Sequence, residues 1–468
     1  MPEPPAHPFR RTVDWLLSSV HPLLLIVVIG LVVRLAVMPL IGAYDSNYWA
    51  VIVRNLQAGE GLYGLEGYYY TPVWGYMLGA LSAVQTMLLG VGELGTLALE
   101  ALQLPAFSDS ASMDGMARLL AAFFPMTAMT TDLVFNFSLS IMLFAFDIAA
   151  AYLVYRLVSE MTGDRRKAVA GFALVFLCPL IILTSSVDGM FDTVCIVMTL
   201  LSIMLLRRGN TFLAGAMISL AVLTKFFPLF ICPLLLAYVI ARYRGTGETA
   251  KHVLLAFAGI ALVALAVLMP QILEGDVMSC FRFLTDRVSS VNKISLMQVG
   301  SIVRILVYAL LVPLSLAFSY LIVRRGREEA DGLLLKGCLM VFVVMMLFPA
   351  PARYLVFVMP FLVFFLAAGD RGLRVGWILI SLGAVLFVVA GCTALLTNMA
   401  VFAGMPSIEA MMAAAAMMYD GDHGAVPFFA VYVSAAAVQY LGLLAVVRAE
   451  WGGALVERVR ARSGRPAR

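Results

Sequence analysis

Long, nearly unbroken apolar runs separated by short polar clusters dominate this 468-residue chain. Runs of about 20 apolar residues, coiled as helix, match the hydrocarbon thickness of a bilayer, and no period-two alternation marks strands. The pattern therefore predicts an all-α fold, a polytopic transmembrane helical bundle rather than a barrel. The first span covers Pro22–Ile41 and the second Pro72–Val91. A long run, Ala117–Val158, is interrupted by Pro125, Asp132 and Asp147. Beyond it come Ala168–Ser185, a helix returning to Arg207–Arg208, then Val253–Leu273, Ser301–Val323, Leu333–Phe348, Tyr354–Ala368, Val375–Leu396 and Pro427–Val447. Phe212–Ala241 differs from these. It is apolar except for Lys225, and at roughly thirty residues it is too long for one ordinary span and too short for two. It reads as a short-armed hairpin or broken helix turning near Lys225–Pro228. The sum is about 11 to 13 helices in one integral membrane domain over residues 1–468. The mixed stretch between Val91 and Asp132 leaves the count open by one crossing, and no internal repeat is visible.

Composition agrees with the pattern: 62% of residues are hydrophobic and 13% charged, and the mean hydropathy is +0.97. A soluble domain of this length does not look like that. The net charge of +4 gives no ground for a nucleic-acid partner, whereas the placement of Lys and Arg is informative. Arg10 and Arg11, Asp164–Lys167, Arg207–Arg208, Arg242 to Lys251, Arg324–Arg327, Asp370–Arg374 and a tail over 448–468 form basic clusters. By the positive-inside rule these face the cytoplasm, which puts the first inter-span segment, residues 42–72, outside. The first span carries no small-residue cleavage site and reads as a retained anchor. Six cysteines stand singly, without metal-ligand or disulfide spacing.

The candidate chemistry starts in that outer segment. Tyr44–Trp74 carries Asp45 near its start, then Tyr44, Tyr48, Trp49, Tyr63, Tyr68, Tyr69, Tyr70 and Trp74. Aromatic rings offer flat apolar surface for sugars and polar edges for hydrogen bonds, so the segment reads as a structured ligand-binding face. An interfacial aromatic belt accounts for Trp74 and Tyr70 but not for the acid. Charges at membrane depth are costly and mark function or pairing. Arg34 lies in the first span, where snorkelling to the interface competes with a binding role. Asp147 sits mid-span and needs either a proton or a cation. Lys225 stands beside a helix break, where a cation and freed backbone N–H groups suit a phosphate. Asp188 and Asp192, four apart in SSVDGMFD, share one face if helical and could hold sugar hydroxyls or a divalent cation. The competing reading is a solvated helix start. Arg353, in FPAPARYLVFVMPF, presents a planar fork suited to phosphate or carboxylate. An outer acid above membrane-depth cations suits glycosyl transfer from a lipid phosphate. The leaving group then needs cations, and the acceptor hydroxyl needs a general base.

The segments VVRLAV, YDSNYW, GLYG…YYYTPVWGYML, FDIAAAYLVYRL, SSVDGMFDTV, LTKFFPLFICPLLL and ARYLVFVMPF, in that order, resemble the GT-C superfamily of integral-membrane glycosyltransferases that use polyprenyl-phosphate sugars. The likeness is to its mannosyltransferase-like branches and covers most of residues 20–370. It implies a GT-C-like fold with a polyprenyl-phosphate-linked sugar donor, a hexose such as mannose. The acceptor is a lipid-linked glycan, cell-wall polymer or protein at the outer face of the plasma membrane. It implies Asp45 as catalytic base and Asp192 as a substrate- or metal-coordinating residue. Lys225 and Arg353 become contacts to the lipid phosphate, with Tyr44, Tyr70, Arg34 and Asp188 lining the substrate. Two departures stand out. Asn47 replaces the second acid that many relatives carry, and Met190 replaces the glutamine of the family's GQFD-like turn. The rival class is a lipid or solute transporter with a midplane site around Lys225 and Asp147.

Overall fold

The structure, a computed structural model, describes residues 22–37, 44–63, 68, 70–89, 133–281, 295–347, 352–390 and 433–450; at residues 44–47 it describes the backbone alone. The undetermined crossing between Val91 and Asp132, the tail beyond 450 and Tyr69 lie outside the described residues. Every regular element among the described residues is helical. Among the described residues, three helices are long and apolar enough to cross a membrane: Phe137–Thr162, Thr246–Glu274 and Val433–Glu450. A fourth crossing results if the bent pair Arg165–Phe176 and Pro179–Ser186 counts as one. These apolar helices point to a membrane protein.

In chain order the helices are α1 (Pro22–Val37), α2 (Tyr44–Gln57), α3 (Pro72–Leu89), α4 (Leu133–Thr162), α5 (Arg165–Phe176) and α6 (Pro179–Ser186). After these come α7 (Asp192–Arg207), α8 (Thr211–Thr224), α9 (Cys232–Arg242), α10 (Thr246–Glu274) and α11 (Ser295–Arg325). The chain closes with α12 (Arg327–Met345), α13 (Met359–Ala368), α14 (Arg374–Ala390) and α15 (Val433–Glu450).

Two predicted spans are broken where proline dictates it. Ala168–Ser185 divides at Leu177–Cys178 and bends by 44° between α5 and α6. Pro179 begins α6, and Cys178 before it is extended at φ −64°, ψ 120°. A proline has no N–H for the preceding turn and drives its predecessor out of the helical region. Tyr354–Ala368 likewise opens as a tight 3₁₀ segment, Ala352–Phe357, before α13 begins with Pro360 in its first turn.

The hairpin expected over Phe212–Ala241 is present. α8 ends at Thr224, Lys225 is extended at φ −158°, ψ 137°, and a 3₁₀ turn over Phe227–Ile231 leads into α9. The outer ends of the two arms meet, since the Tyr243 hydroxyl donates to the Gly209 carbonyl at 3.4 Å. Glycines set the packing of its first arm. A Cβ at Gly215 would strike the Ala256 carbonyl, and one at Gly259 the Phe212 carbonyl. The α8 and α10 backbones therefore touch in the small-residue manner of membrane helices.

The connections gather at two ends. At one, Glu160 accepts from Arg156, Arg207 and Arg208 at 3.1, 3.3 and 2.8 Å. Arg207 also pairs with Asp331 at 3.1 Å, Asp331 accepts from the Tyr238 hydroxyl at 2.6 Å, and Lys167 donates to the Ala368 carbonyl at 3.0 Å. The described basic clusters between Asp164 and Arg374 thus gather at one end. The main apolar core runs through α4–α9 and α11–α14. A second core, built on Trp49, Trp74, Phe135 and Phe191, closes the other end.

Candidate functional site

Trp49, one helical turn after Asp45 on α2, is the pivot of that second end. It is fully buried and its indole N–H donates to the Gly189 carbonyl at 3.1 Å. Its ring meets Tyr70, Trp74 and Phe191 edge-on with centroids 5.4, 5.6 and 5.7 Å apart. Phe191 stacks on Trp74 at 4.6 Å. The Tyr63 and Tyr68 hydroxyls donate to the carbonyls of Tyr70 and Thr71 at 2.8 and 3.0 Å. Burial pushes both phenols above their usual range, so they remain protonated donors. This corrects the sequence reading. The rings of Trp49, Tyr63, Tyr68, Tyr70 and Trp74 form a packed core rather than an open sugar-binding face, because aromatic edges satisfy one another more completely than water would. Tyr70 lies inside that core, edge-on to Phe191 at 5.5 Å. Tyr44 and Asp45 occupy the first turn of α2, and their side chains lie outside the description.

Phe191 joins this core to the charged residues. Gly189, at φ +64°, adopts the left-handed geometry that breaks the helix between α6 and α7. Asp188 therefore sits half-buried on the turn while Asp192 begins α7. The condition for a shared helix face is therefore not met: a turn separates Asp188 from the helix that Asp192 begins. Asp192 instead meets Lys225: the ammonium lies 2.6 Å from Oδ1, with the two side chains 0% and 3% exposed. The extended backbone at the hairpin break projects Lys225 among rings, its Nζ 4.3 Å from the Tyr354 centroid and 4.9 Å from that of Phe191. Such contacts attract a cation most strongly when it is desolvated. Asp192 Oδ2 has no hydrogen-bond partner among the described residues. No group of three His, Cys, Asp or Glu side chains gathers among the described residues. Beside Asp192 the neighbouring cation is the Lys225 ammonium.

Arg34 and Asp147 form a second buried pair, elsewhere. The Nε and Nη2 of Arg34 both donate to Asp147 Oδ2, at 3.1 and 2.9 Å. The remaining reach of the guanidinium goes to the Phe176 and Gly30 carbonyls at 3.0 and 3.3 Å. Ser185 donates to the same carboxylate oxygen at 2.6 Å. Both charges are fully buried, and the Phe176 ring lies 4.4 Å from the guanidinium carbon. Arg34, expected at the substrate face, is instead the tie that fastens α1 to α4, α5 and α6. Its snorkelling alternative is also excluded, since it reaches no surface. Lys225 and Asp147 do not pair with one another; each has a partner of its own.

Arg353 is half-buried in the 3₁₀ segment before α13, its guanidinium carbon 5.9 Å from the Tyr354 ring. Tyr354 is the ring that lies over Lys225. The structure thus brings Asp192, Lys225 and Arg353 together around Phe191 and Tyr354, and it brings α2 to them through Trp49. Sequence reading missed Phe191 and Tyr354, the two rings that link the parts. Each is adjacent in sequence to a residue that was singled out, Asp192 and Arg353, and that adjacency was the available signal. Comparison of the sequence with protein-family models and with curated proteins gave no match.

Proposed function

We propose that the chain is an inverting membrane glycosyltransferase of GT-C-like, polytopic architecture with about 11 to 13 helices. It moves a hexose such as mannose from a polyprenyl phosphate to an extracytoplasmic acceptor: a lipid-linked glycan, a cell-wall polymer or a protein. The observation that carries this reading is the delivery of Lys225, at the break of a helical hairpin, into the aromatic core that α2 helps to build. The Asp192–Lys225 pair, unlike Arg34–Asp147, lies against the aromatic core that α2 helps to build, beside the Phe191 ring. In the proposed reaction Lys225 and Arg353 bind the lipid phosphate, which departs as a stable anion. Asp192 holds the ammonium in place until the phosphate arrives. Asp45, in the first turn of α2, removes the acceptor's proton as its oxygen attacks the anomeric carbon from the face opposite the phosphate. Holding both substrates at one membrane face supplies the orientation that such a bimolecular step otherwise lacks.

The test is sugar transfer by the purified full chain from synthetic polyprenyl-phosphate hexoses, with glycolipid products resolved by mass spectrometry. Asp45→Asn is expected to lower turnover by about 10²–10⁴-fold, the usual contribution of a general base, with unchanged melting behaviour. Unchanged turnover in that variant removes Asp45 from its role. Lipid or solute movement in proteoliposomes with no covalent product replaces the enzyme with a transporter.

A further inference from the structure

At the basic end, a cleft of about 470 Å³ opens between the start of α10 and the end of α11. It is lined by Arg244, Gly245, Thr246, Thr249, Val253 and Val323, among others. Nothing in the proposed transfer reaction uses it. Gly245 caps α10 without a side-chain acceptor, so the first N–H groups of a 29-residue helix remain available at the mouth, where the helix dipole is positive. Arg244 crosses the cleft, donating to the Val323 carbonyl at 3.3 Å, and a Cβ at Gly326 would collide with its guanidinium. The glycine, at φ +78°, thus leaves room for the arginine to lie there. One of the five guanidinium N–H groups is engaged by Val323, and Arg244 forms no ion pair among the described residues. Arg324 and Arg327, nearby in the chain, form none among them either. Of the nearby acids, Glu248 is shared by Lys251 at 3.6 Å and His252 at 3.7 Å, Glu329 pairs with Arg325 at 3.3 Å, and Glu328 stands in the first turn of α12.

Below the charged mouth the floor is apolar, formed by Ile240, Val253 and Val323, and the exposed surface of both helices beyond it stays apolar. Leu254, Phe257, Leu262 and Leu265 on α10 are exposed, as are Leu310, Leu316 and Tyr320 on α11. A cationic mouth with free N–H donors above two continuous apolar helix faces has the amphipathic order of a lipid. We infer that the cleft binds one anionic glycerophospholipid, its phosphate at Arg244 and the α10 N-terminus and its acyl chains along α10 and α11. Each basic side chain at a membrane surface strengthens attraction to acidic lipid several-fold, whereas a zwitterionic headgroup gains little. This rests on the membrane reading of the apolar helices and is independent of the transferase reading.

Native mass spectrometry of the full chain, titrated with phosphatidylglycerol, phosphatidylcholine or inorganic phosphate, tests it. One phosphatidylglycerol molecule is expected to remain bound in preference to phosphatidylcholine. Arg244→Ala should weaken that binding about fivefold, the effect of one surface charge. Val253→Trp keeps every charge and fills the floor, so it should lose the bound lipid even if Arg244→Ala does not fold. Undiminished phosphatidylglycerol binding in Val253→Trp overturns the inference. An equal loss in Arg371→Ala, exposed at the same end but outside the cleft, overturns it too, because the effect is then diffuse charge. Inorganic phosphate binding as well as the lipid, or both lipids binding alike, has the same consequence.

Discussion

Two buried ion pairs show how differently the same residue types serve this molecule. Arg34 spends its donors on Asp147 and on two backbone carbonyls. A guanidinium held from three helices in this way is a fastener. Lys225 has one carboxylate partner and otherwise faces π surfaces, and Asp192 keeps one oxygen uncommitted among the described residues. Asp147 Oδ1 is likewise uncommitted among them, so the two pairs differ in the cation: the guanidinium donates to a carboxylate and two carbonyls, the ammonium to a carboxylate. Removing one member of a buried pair leaves an uncompensated charge, which costs about 3–5 kcal/mol. Arg34→Met alone should therefore lower the unfolding midpoint of the detergent-solubilised protein by that equivalent. The double variant Arg34→Met with Asp147→Leu should recover most of the loss. Additive losses in the double variant would show that the two side chains are not coupled. Both charges stood out in the sequence as misfits in apolar runs, and Asp147 visibly required either a proton or a cation. Their pairing was not legible, because 113 residues separate them and no periodicity links positions on different helices.

Helix limits were readable wherever local chemistry sets them. The break at Lys225–Pro228 and the gap ending at Gly189 carry a proline and a glycine in the sequence. Even so, the spacing of Asp188 and Asp192 suggested one helix face, where Gly189 in fact adopts a positive φ. A glycine flanked by apolar residues does not declare whether it is a helix contact or a helix break. Gly215 is a contact. Its missing Cβ would lie against the Ala256 carbonyl, and backbone cannot yield as a side-chain tip can. Gly215→Leu should push α8 from α10 and destabilise the protein by about 1–3 kcal/mol, the range for overpacking. Gly247→Ala, in the first turn of α10 with nothing near its Cβ, should be neutral or slightly stabilising. Comparing the two melting temperatures checks this. A neutral Gly215→Leu would mean that the α8–α10 crossing is looser than the backbone contact implies. That crossing bears on the site, because α8 ends at the residue before Lys225.

At the scale of the whole molecule, the two ends differ in kind. One is a lattice of guanidinium and carboxylate groups: Glu160 with three arginines, and Asp331 shared by Arg207 and Tyr238. The other is an aromatic core with a single ion pair set into it. The described basic clusters are scattered in the sequence between Asp164 and Arg374, yet charge alone anticipated that they would meet. What charge could not anticipate was that the aromatic segment would be consumed in packing, since aromatic residues serve cores and binding faces equally well. Cations retained on the cytoplasmic side during insertion would orient such a molecule, with the aromatic end outward. Two exposed positions at opposite ends provide the check, Glu60 just beyond α2 and Glu328 in the first turn of α12. The five described native cysteines are buried or partly buried, so they leave a low labelling background. In intact cells a membrane-impermeant maleimide should label Glu60→Cys directly, and Glu328→Cys only after permeabilisation. Labelling of both before permeabilisation would place the two ends in one compartment. That result would remove the outer-face active site and, with it, the use of a lipid-linked donor there.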